Sequence, residues 1–383
     1  MRILHVMDKL SVDGSQIAGP ARQLAYRLPA YPPGRCAAMV CGLREDASAR
    51  AFMTQCGVEV VCLGRGKFDL RVLHDLERLA ARWRPTLLHL HGYASWTFGR
   101  ILGRRIGVPV VIQEHFIDPR MPAVQRVADR VLCRQQQLAV AVSERVKRFM
   151  VEERHVRHTP IEVIWNAVPV EAIRAEAAAA DTGALRASLG IPPDAPVVGI
   201  VGRLAREKGH ACFLEAAAII RAARPGVYFV VVGAGPLRGA LEERARSLQL
   251  TERVRFVGHQ PNVVPYLAAS TVAVLPSLSE GFPLAALEAL AAGTPTVLTD
   301  LDAYRGVYTH GRDVLLVPVN DPAATATAAL RLLDDPALAG WLVDNARRVL
   351  SACTLEAVTA RYLGLYERLL CGEAHGDLRR AVH

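Results

Sequence analysis

Two glutamates, Glu280 and Glu288, lie eight residues apart around the start of a segment that has the pattern of an apolar helix. Pro283 stands at a position favoured in the first turn of a helix, and Gly293 is typical of a helix end. Because the residues around Glu288 are alanine and leucine, burial of its carboxylate is unfavourable unless it binds something. A carboxylate can accept paired hydrogen bonds from the vicinal hydroxyls of a sugar or ribose. The spacing therefore predicts a site for a hydroxylated ligand.

A basic pair, Arg203 and Lys208, follows the apolar run Val197–Val201, which has the pattern of a buried strand. Arginine suits a bidentate contact with an anion, and lysine suits a point contact. Ligands of parallel α/β sheets bind at the carboxyl ends of the strands, where helix N-termini also offer free backbone N–H groups to phosphates. We therefore expect the pair to converge on one diphosphate.

Short apolar runs alternate with helical patterns along the chain, and this alternation predicts parallel sheets covered by helices. Two successive doubly wound sheets are expected, with the seam between Asn166 and the polar, alanine-rich stretch Glu171–Asp181. The predicted strands are Ile3–Met7, Ala37–Leu43, Val58–Leu63, Thr86–His91, Val108–Ile112, Leu138–Val142, Val197–Val201, Val227–Val232, Val254–Val257, Thr271–Leu275, Thr296–Leu298 and Val314–Val317.

The length of 383 residues suits two globular domains, and a hydrophobic content of 51% excludes wholesale disorder. No run reaches the ~18 apolar residues of a membrane span. Asp8 and Lys9 interrupt the position where a signal peptide needs its apolar stretch. The eight cysteines form no C-x-x-C pair and are expected to be reduced. We expect a soluble, non-exported, cytoplasmic protein.

The positive charge is concentrated in the first part of the chain. Residues 1–167 hold 25 Lys and Arg against 15 Asp and Glu, whereas residues 168–383 hold 21 against 22. No nucleic-acid motif accompanies the basic stretches, so we expect no nucleic-acid partner and propose an anionic membrane surface, with a peripheral location on its inner face. The expected contacts are Arg100, Arg104, Arg105, Arg145, Lys147 and Arg148.

Four motifs in the second half occur in an order that resembles glycosyltransferase family four. They are GRLxxxKG from Gly202, VVGAGP from Val231, VRFVGH from Val254 and PSLSEGFPLAALEALAAGTPTV from Pro276. The resemblance implies an α/β fold of GT-B type, with two doubly wound Rossmann-like domains and a C-terminal helix that returns towards the first. The domains expected from it are residues 1–167 and 168–360, followed by a helix and tail over 361–383.

The resemblance also implies roles for individual residues. Glu280 is expected to hold hydroxyls of the donor sugar, Glu288 the ribose diol, and Arg203 with Lys208 the diphosphate. The turn that ends at His259 is expected to lie against the nucleobase. The remaining donor-binding positions that the resemblance implies are Gly19, Gly202, Gly233, Gly281, Phe282, Pro283 and Leu284.

The first half matches the family less specifically. His115, after the strand Val108–Ile112, resembles the histidine at the family's reaction centre, and His89 and His91 compete with it for that role. The loop with Gly14 and Gly19 replaces the paired glycines that family members often carry. In the second half, Asp302–Gly306 departs from the family pattern, which leaves the identity of the donor sugar open.

The function implied is a retaining, metal-independent transfer of a hexose-type sugar from a nucleotide diphosphate sugar, with UDP favoured. The acceptor expected is a hydroxyl of a lipid-linked or polysaccharide molecule in cell-envelope or exopolysaccharide synthesis. No cofactor and no metal site are expected, because no D-x-D element follows a predicted strand. Two alternatives stay open: a sugar-nucleotide epimerase of GT-B type and a non-catalytic regulator that binds nucleotide sugar. A nicotinamide dehydrogenase fits worse, because a clean G-x-G-x-x-G with an acidic residue ~20 positions on is missing.

Overall fold

The computed structural model describes residues 1–11, 17–66, 69–118 and 121–372. The chain divides into two compact units. The first unit is Met1–Ala167 together with the residues from Leu355 onward, and the second unit is Val168–Thr354. The division after Ala167 coincides with the expected seam. The second division falls after Thr354 rather than after residue 360, because the whole of the last helix belongs to the first unit. Gly14 and the tail beyond Gly372 lie outside the described residues.

The first unit is built on a seven-stranded parallel sheet. Its strands are β1 (Arg2–Met7), β2 (Ala37–Gly42), β3 (Glu59–Cys62), β4 (Leu87–His91), β5 (Val110–Glu114), β6 (Leu138–Ala141) and β7 (Ile161–Val163). The spatial order is β3-β2-β1-β4-β5-β6-β7, so the strand order reverses between β1 and β4. The central strands are buried along their length, as expected when helices cover both faces of a parallel sheet.

The second unit repeats this design with six parallel strands. They are β8 (Val197–Val201), β9 (Tyr228–Val232), β10 (Val254–Gly258), β11 (Val272–Leu275), β12 (Thr296–Thr299) and β13 (Leu315–Val317). The spatial order is β10-β9-β8-β11-β12-β13, and the order reverses between β8 and β11. Each of the twelve predicted runs forms a strand. Among the described residues, β7 is the strand that the sequence pattern does not predict, because it has three half-buried residues and no clear apolar pattern.

Helices connect the strands and cover the sheets. In chain order they are α1 (Gly19–Arg27), α2 (Ala47–Gln55), α3 (Arg71–Trp83), α4 (Tyr93–Ile106), α5 (Ala123–Val131), α6 (Glu144–Glu152), α7 (Val170–Ala179), α8 (Thr182–Ser188), α9 (His210–Ala223), α10 (Arg238–Ser247), α11 (Val264–Ala268), α12 (Leu284–Ala291), α13 (Pro322–Asp334), α14 (Pro336–Ala352) and α15 (Leu355–Leu370). None of the helices among the described residues combines the length and the apolar character needed to cross a membrane.

Helix α15 completes the core of the first unit. Tyr362, Leu365 and Tyr366 are buried in the same cluster as residues of β1, β4 and β5. The Arg27 guanidinium lies 3.5 Å above the ring of Tyr362. These contacts explain why the last helix belongs to the first unit although nearly two hundred residues separate it from Ala167.

The prediction that Arg100 contacts a membrane is wrong. Its side chain is fully buried and donates to Oδ1 of Asp129 at 2.8 Å. A guanidinium stays charged in proteins, so its burial in the first unit requires a buried carboxylate partner. Among the other basic residues expected at a membrane, the exposed ones are Arg104, Arg105 and Arg148. The half-buried ones are Arg145 and Lys147.

Candidate functional site

The predicted charged residues of the second unit lie on two loops that follow adjacent strands. Arg203 and Lys208 follow β8, and Glu280 follows β11. Because β8 and β11 are neighbours at the point where the strand order reverses, the loops beyond their carboxyl ends meet there. Open α/β sheets bind ligands in the crevice at this kind of position. The topology therefore brings the predicted cations and one predicted carboxylate together.

Lys208 and Glu280 form the centre of this cluster. The Nζ atom of Lys208 donates to Oε1 of Glu280 at 2.7 Å, and the Ser277 hydroxyl donates to the same oxygen at 2.8 Å. Arg203 pairs with Glu207 four residues later. Each predicted diphosphate-binding cation therefore has a carboxylate partner, which an anionic ligand must replace.

Two glycines hold the loops close together. Gly209 has a φ of +69°, and a Cβ at this position would lie 1.8 Å from the carbonyl oxygen of Pro276. At Gly233, with a φ of +142°, a Cβ would lie 1.9 Å from the carbonyl oxygen of Gly202. Only glycine permits these backbone conformations together with such close approach. Gly202 and Gly233 were predicted as donor-binding residues. Their close contact shows that they have a structural role in the packing of the two backbone segments.

Helix α12 begins directly after this loop. Gly281, Phe282 and Pro283 are buried, and Leu284 is half-buried at the first position of the helix. Glu288 lies in the second turn and is only 2% exposed, surrounded by buried alanine and leucine residues of the same helix. Its burial in this apolar helix is the arrangement that the sequence predicted. His259 is exposed at the end of the edge strand β10, two strands away from β8.

Sequence reasoning missed several residues of this cluster. Ser277 is uncharged, and Glu207 lies within the motif that was interpreted through its cations, so neither residue was predicted. His210, the first residue of α9, is 2% exposed, and neither ring nitrogen has a hydrogen-bond partner among the described residues. Burial, reinforced by the charge of Lys208, lowers the pKa of His210 to about 4. His210 directly follows Lys208 and Gly209 in the sequence, and this position was a signal by which it could have been predicted as a site residue.

Tyr304 was also missed, although it lies inside the stretch that departs from the family pattern. The side chain is 1% exposed, and its hydroxyl has no partner among the described residues. Burial and the nearby charge of Glu280 raise the pKa of the Tyr304 phenol. This tyrosine therefore stays protonated beside the carboxylate that is predicted to hold sugar hydroxyls.

In the first unit, the predicted reaction-centre residue His115 ends a chain of hydrogen-bonded histidines. Its Nε2 atom is 2.9 Å from Nδ1 of His91, and Nε2 of His91 is 3.1 Å from Nδ1 of His5. His89 instead bonds the hydroxyl of Tyr366 at 2.6 Å. His89 and His91 are buried in β4, whereas His115 is half-buried, so His115 is the most accessible of the three candidates.

These histidines are held in the neutral state. Burial, with a contribution from the charge of Arg27, lowers the pKa of His115 to about 3 and the pKa values of His5, His89 and His91 well below their usual range. One nitrogen from each of His5, His89 and His91 lies within 4.8 Å of the others, close enough for a metal site. The permanent charge of Arg27 opposes a cation there, and the bond between His5 and His91 already uses one nitrogen of each ring.

The backbone of His115 is fixed by its neighbour Glu114. The Glu114 carboxylate accepts the His115 N–H at 3.1 Å and pairs with Arg154. Burial raises the pKa of Glu114 to about 6, and the charge of Arg154 opposes that rise. Arg154 in turn pairs with Asp129. His115 is therefore positioned through its ring and through its backbone.

Gly19 is described by its own surroundings alone. It is the first residue of α1 in the first unit, and a Cβ there would meet no atom within 4 Å. Its predicted contact with a donor remains a prediction. Gly14, from the same predicted loop, lies outside the described residues.

Comparison with known proteins identifies two families over the parts of the chain that carry these residues. Residues 42–172 match the description Glycosyltransferase Family 4, and residues 195–335 match Glycosyl transferases group 1. The first range contains His115, and the second contains Arg203, Lys208, Glu280 and Glu288.

Individual relatives and solved structures agree with these families. The chain is 30% identical over 282 residues to the 2-deoxystreptamine glucosyltransferase of Streptomyces kanamyceticus, covering 69% of this chain and 72% of the relative. It is 29% identical over 312 residues to the UDP-Gal:alpha-D-GlcNAc-diphosphoundecaprenol alpha-1,3-galactosyltransferase of Escherichia coli. This match covers 76% of this chain and 77% of the relative. The crystal structure of Anabaena HepE in complex with UDP is similar in fold, with a TM-score of 0.82 and 19% sequence identity. The match covers 96% of this chain and 100% of the HepE chain.

Replacing Gly209 by alanine should destabilise the second unit by more than about 2 kcal/mol, because it adds backbone strain to a clash with the Pro276 carbonyl. Gly239 is the matched control, since it lies in α10 and a Cβ there would meet no atom within 4 Å. Gly239→Ala should change stability little or raise it by up to about 1 kcal/mol. Urea unfolding of both variants checks this, and equal stabilities would contradict the described contact.

The buried histidines should make the protein lose stability on acidification. Unfolded histidines bind protons below about pH 6.5, whereas native His115 and His210 do so only near pH 3 to 4. The unfolded state therefore binds more protons in this window, and each such group lowers the free energy of unfolding by up to about 1.4 kcal/mol per pH unit of acidification.

Urea unfolding at pH 6.5, 5.5 and 4.5 measures this slope. His210→Gln should reduce the proton uptake on unfolding by about one. An unchanged slope in the His210 variant would show that this histidine is not held neutral.

Proposed function

The chain belongs to glycosyltransferase family 4 and is an enzyme that uses a nucleotide sugar, and we propose that it transfers a hexose from a UDP-sugar with retention of the anomeric configuration. The acceptor we propose is a hydroxyl of a lipid-linked or polysaccharide molecule in cell-envelope synthesis. The name of the Escherichia coli relative, which describes transfer to a diphosphoundecaprenol-linked sugar, supports such an acceptor. The excess of Lys and Arg in residues 1–167 supports action on the cytoplasmic side of an anionic membrane surface.

The observation that carries the proposal is the cluster of Lys208, Glu280 and Ser277 where the strand order of the second sheet reverses. A nucleotide diphosphate sugar brings both a dianion and a set of hydroxyls. Its diphosphate can take the place of Glu280 beside Lys208, while its sugar hydroxyls can take the place of Lys208 beside Glu280. Both charged groups then keep a partner in the bound state, which is what burial requires.

The rest of the donor is assigned to the groups around α12. We propose that Glu288 accepts hydrogen bonds from the ribose diol and that the turn at His259 lies against the base. The backbone N–H groups of Gly281, Phe282 and Leu284, with the positive end of the helix dipole, face the diphosphate in this proposal.

In the proposed mechanism, the acceptor hydroxyl approaches the face of the sugar that the diphosphate leaves. The bond from the anomeric carbon to the phosphate oxygen breaks, the bond to the acceptor oxygen forms, and the departing phosphate oxygen takes the acceptor proton. The main task of the protein is to stabilise charge that develops on the diphosphate. Arg203, Lys208 and the N-terminus of α12 are assigned this task, and we propose that no metal ion is needed.

The histidine chain supports one of the two neutral forms of His115. If each ring donates in the direction from His5 to His115, no N–H of the chain is left buried without an acceptor, and the proton of His115 is on Nδ1. The opposite order leaves the buried Nε2–H of His5 without a partner, which is the less favourable arrangement. We therefore propose that His115 donates a hydrogen bond to an oxygen of the donor or the acceptor rather than accepting a proton.

Ligand-induced thermal stabilisation tests the donor assignment. The panel contains UDP, GDP, ADP, CMP, their common sugar conjugates and NAD. UDP at about 100 times its dissociation constant should add roughly 2.7 kcal/mol to the free energy of unfolding. Glu288→Ala should abolish the effect, and Glu252→Ala, at an exposed position, should retain it. Stabilisation by NAD alone, or by no ligand, would contradict the proposal.

The same ligands, assayed for turnover with and without an acceptor, separate the two alternative functions. Conversion of the sugar nucleotide to an isomer without an acceptor would favour the epimerase. Binding without any turnover across lipid-linked and polysaccharide acceptors would favour the regulator.

Alanine at Arg203 or at Lys208 should lower turnover by on the order of 10²–10³-fold, because each variant loses one preorganised positive group beside the leaving diphosphate. Turnover is measured as nucleotide released from the donor that the panel identifies, with and without a chelator. Arg312→Ala, at an exposed position of the second unit, is the control and should be unaffected. Losses below about tenfold for both site variants would overturn the assignment.

A further inference from the structure

Helix α5 presents two polar residues to the protein and its large apolar residues to the outside. Val124, Val127 and Val131 are 64%, 62% and 72% exposed, whereas Gln125 and Asp129 are buried. A surface helix of a globular protein normally has the opposite orientation, with an apolar stripe facing the core. The outward valines of α5 therefore need an explanation.

The orientation of α5 is fixed by its buried face. Asp129 accepts hydrogen bonds from Arg100 at 2.8 Å and from Arg154 at 2.5 Å, and Gln125 donates to it at 3.0 Å. Rotating the helix to bury the valines would break a fully buried ion-pair network, which is strongly unfavourable. The valines are therefore held outward by the core of the first unit.

The outward face of α5 combines an apolar row with positive charge. At about 100° per residue, the three valines fall within an arc of about 60°, and Arg126 and Arg130 lie to one side of it. Both arginines are exposed, as is Arg134 just beyond the helix end. Asp129 is the acidic residue of α5, and it is buried against two guanidinium groups. The exposed side chains of the helix are therefore apolar or positive.

We propose that α5 lies in the plane of an anionic lipid surface, with its valines in the acyl boundary and its arginines among the headgroups. Nine residues of helix span about 14 Å and cannot cross a ~30 Å hydrocarbon layer, so the helix must lie along the surface. Three valines bind a membrane weakly by themselves, and stable association needs a second signal. The positive charge of residues 1–167 supplies that signal and selects anionic lipid.

This surface is connected to the reaction centre. His115 directly follows β5, and α5 begins eight residues later. Asp129 of α5 pairs with Arg154, which pairs with Glu114, and Glu114 holds the backbone N–H of His115. The inference rests on the proposed function, since a lipid-linked acceptor is what a membrane-bound α5 would serve.

Sedimentation of the full chain with vesicles tests the inference. The vesicles contain phosphatidylcholine alone, or phosphatidylcholine with about one third phosphatidylglycerol, at low and at high salt. One variant is Val124→Ser, Val127→Ser and Val131→Ser together, with the control Ile219→Ser and Val319→Ser at exposed positions of the second unit. The other is Arg126→Gln with Arg130→Gln, with the control Arg312→Gln and Arg331→Gln.

The parent should bind the anionic vesicles and lose binding at high salt. The valine variant should lower the partition coefficient by about tenfold or more and the arginine variant by a smaller, salt-dependent factor, with both controls near the parent. Binding of the valine variant equal to the parent, or no preference of the parent for anionic vesicles, would overturn the inference. The inference would also be overturned if the valine variant differed from the parent only in self-association, measured by sedimentation equilibrium. In that case α5 would face a second copy of the chain.

Nucleotide binding by the same variants keeps this test apart from the proposed function. Retained nucleotide binding by a parent that does not bind the vesicles refutes the role of α5 alone, whereas retained nucleotide binding by a valine variant that no longer binds them is the expected result. Vesicle binding through α5 without nucleotide binding refutes the proposed donor chemistry alone.

Discussion

The close approach of the Gly209 backbone to the carbonyl of Pro276 sets the geometry of the second unit's site. It brings the loop after β8 against the loop after β11, and a backbone hydrogen bond from Leu278 to Glu207 at 2.8 Å joins them again. The ion pair between Lys208 and Glu280 follows from that contact, because their side chains then extend from facing loops. The charges of this site are thus placed by backbone packing at the reversal of strand order.

The first unit uses a different device, a buried chain of neutral rings. Residues beside the chain have partners from distant parts of the sequence. His89, whose ring stacks on His91, bonds Tyr366 of α15, and Gln113 of β5 donates to Tyr362 of α15. Burial keeps the rings neutral, and the positive charge of Arg27, stacked on Tyr362, adds to that effect. Neutral histidines have one donor and one acceptor nitrogen each, so such a chain has a direction that a chain of charged rings lacks.

Much of this architecture was predictable because its signals are local. Runs of β-branched and apolar residues predicted the strands, and the apolar surroundings of Glu288 predicted its burial. The long-range partners were not predictable: Arg100 counted as a surface charge until its partner Asp129, 29 residues away, was known. The pairing of His5 with His91 spans 86 residues, and the outward valines of α5 follow from the same buried carboxylate. Sequence patterns predict elements better than they predict which side chains meet between elements.

The membership of α15 in the first unit has a consequence for synthesis on the ribosome. The sheet of the first unit is complete in the nascent chain at Ala167, but its core lacks α15 until the entire second unit has been translated. At ~5–20 residues per second, that interval is on the order of ten to forty seconds. During it, the apolar face that Leu365 and Tyr366 will cover stays open to water or to chaperones. The second unit, which is contiguous in sequence, can fold first, and the partner of His89 arrives last.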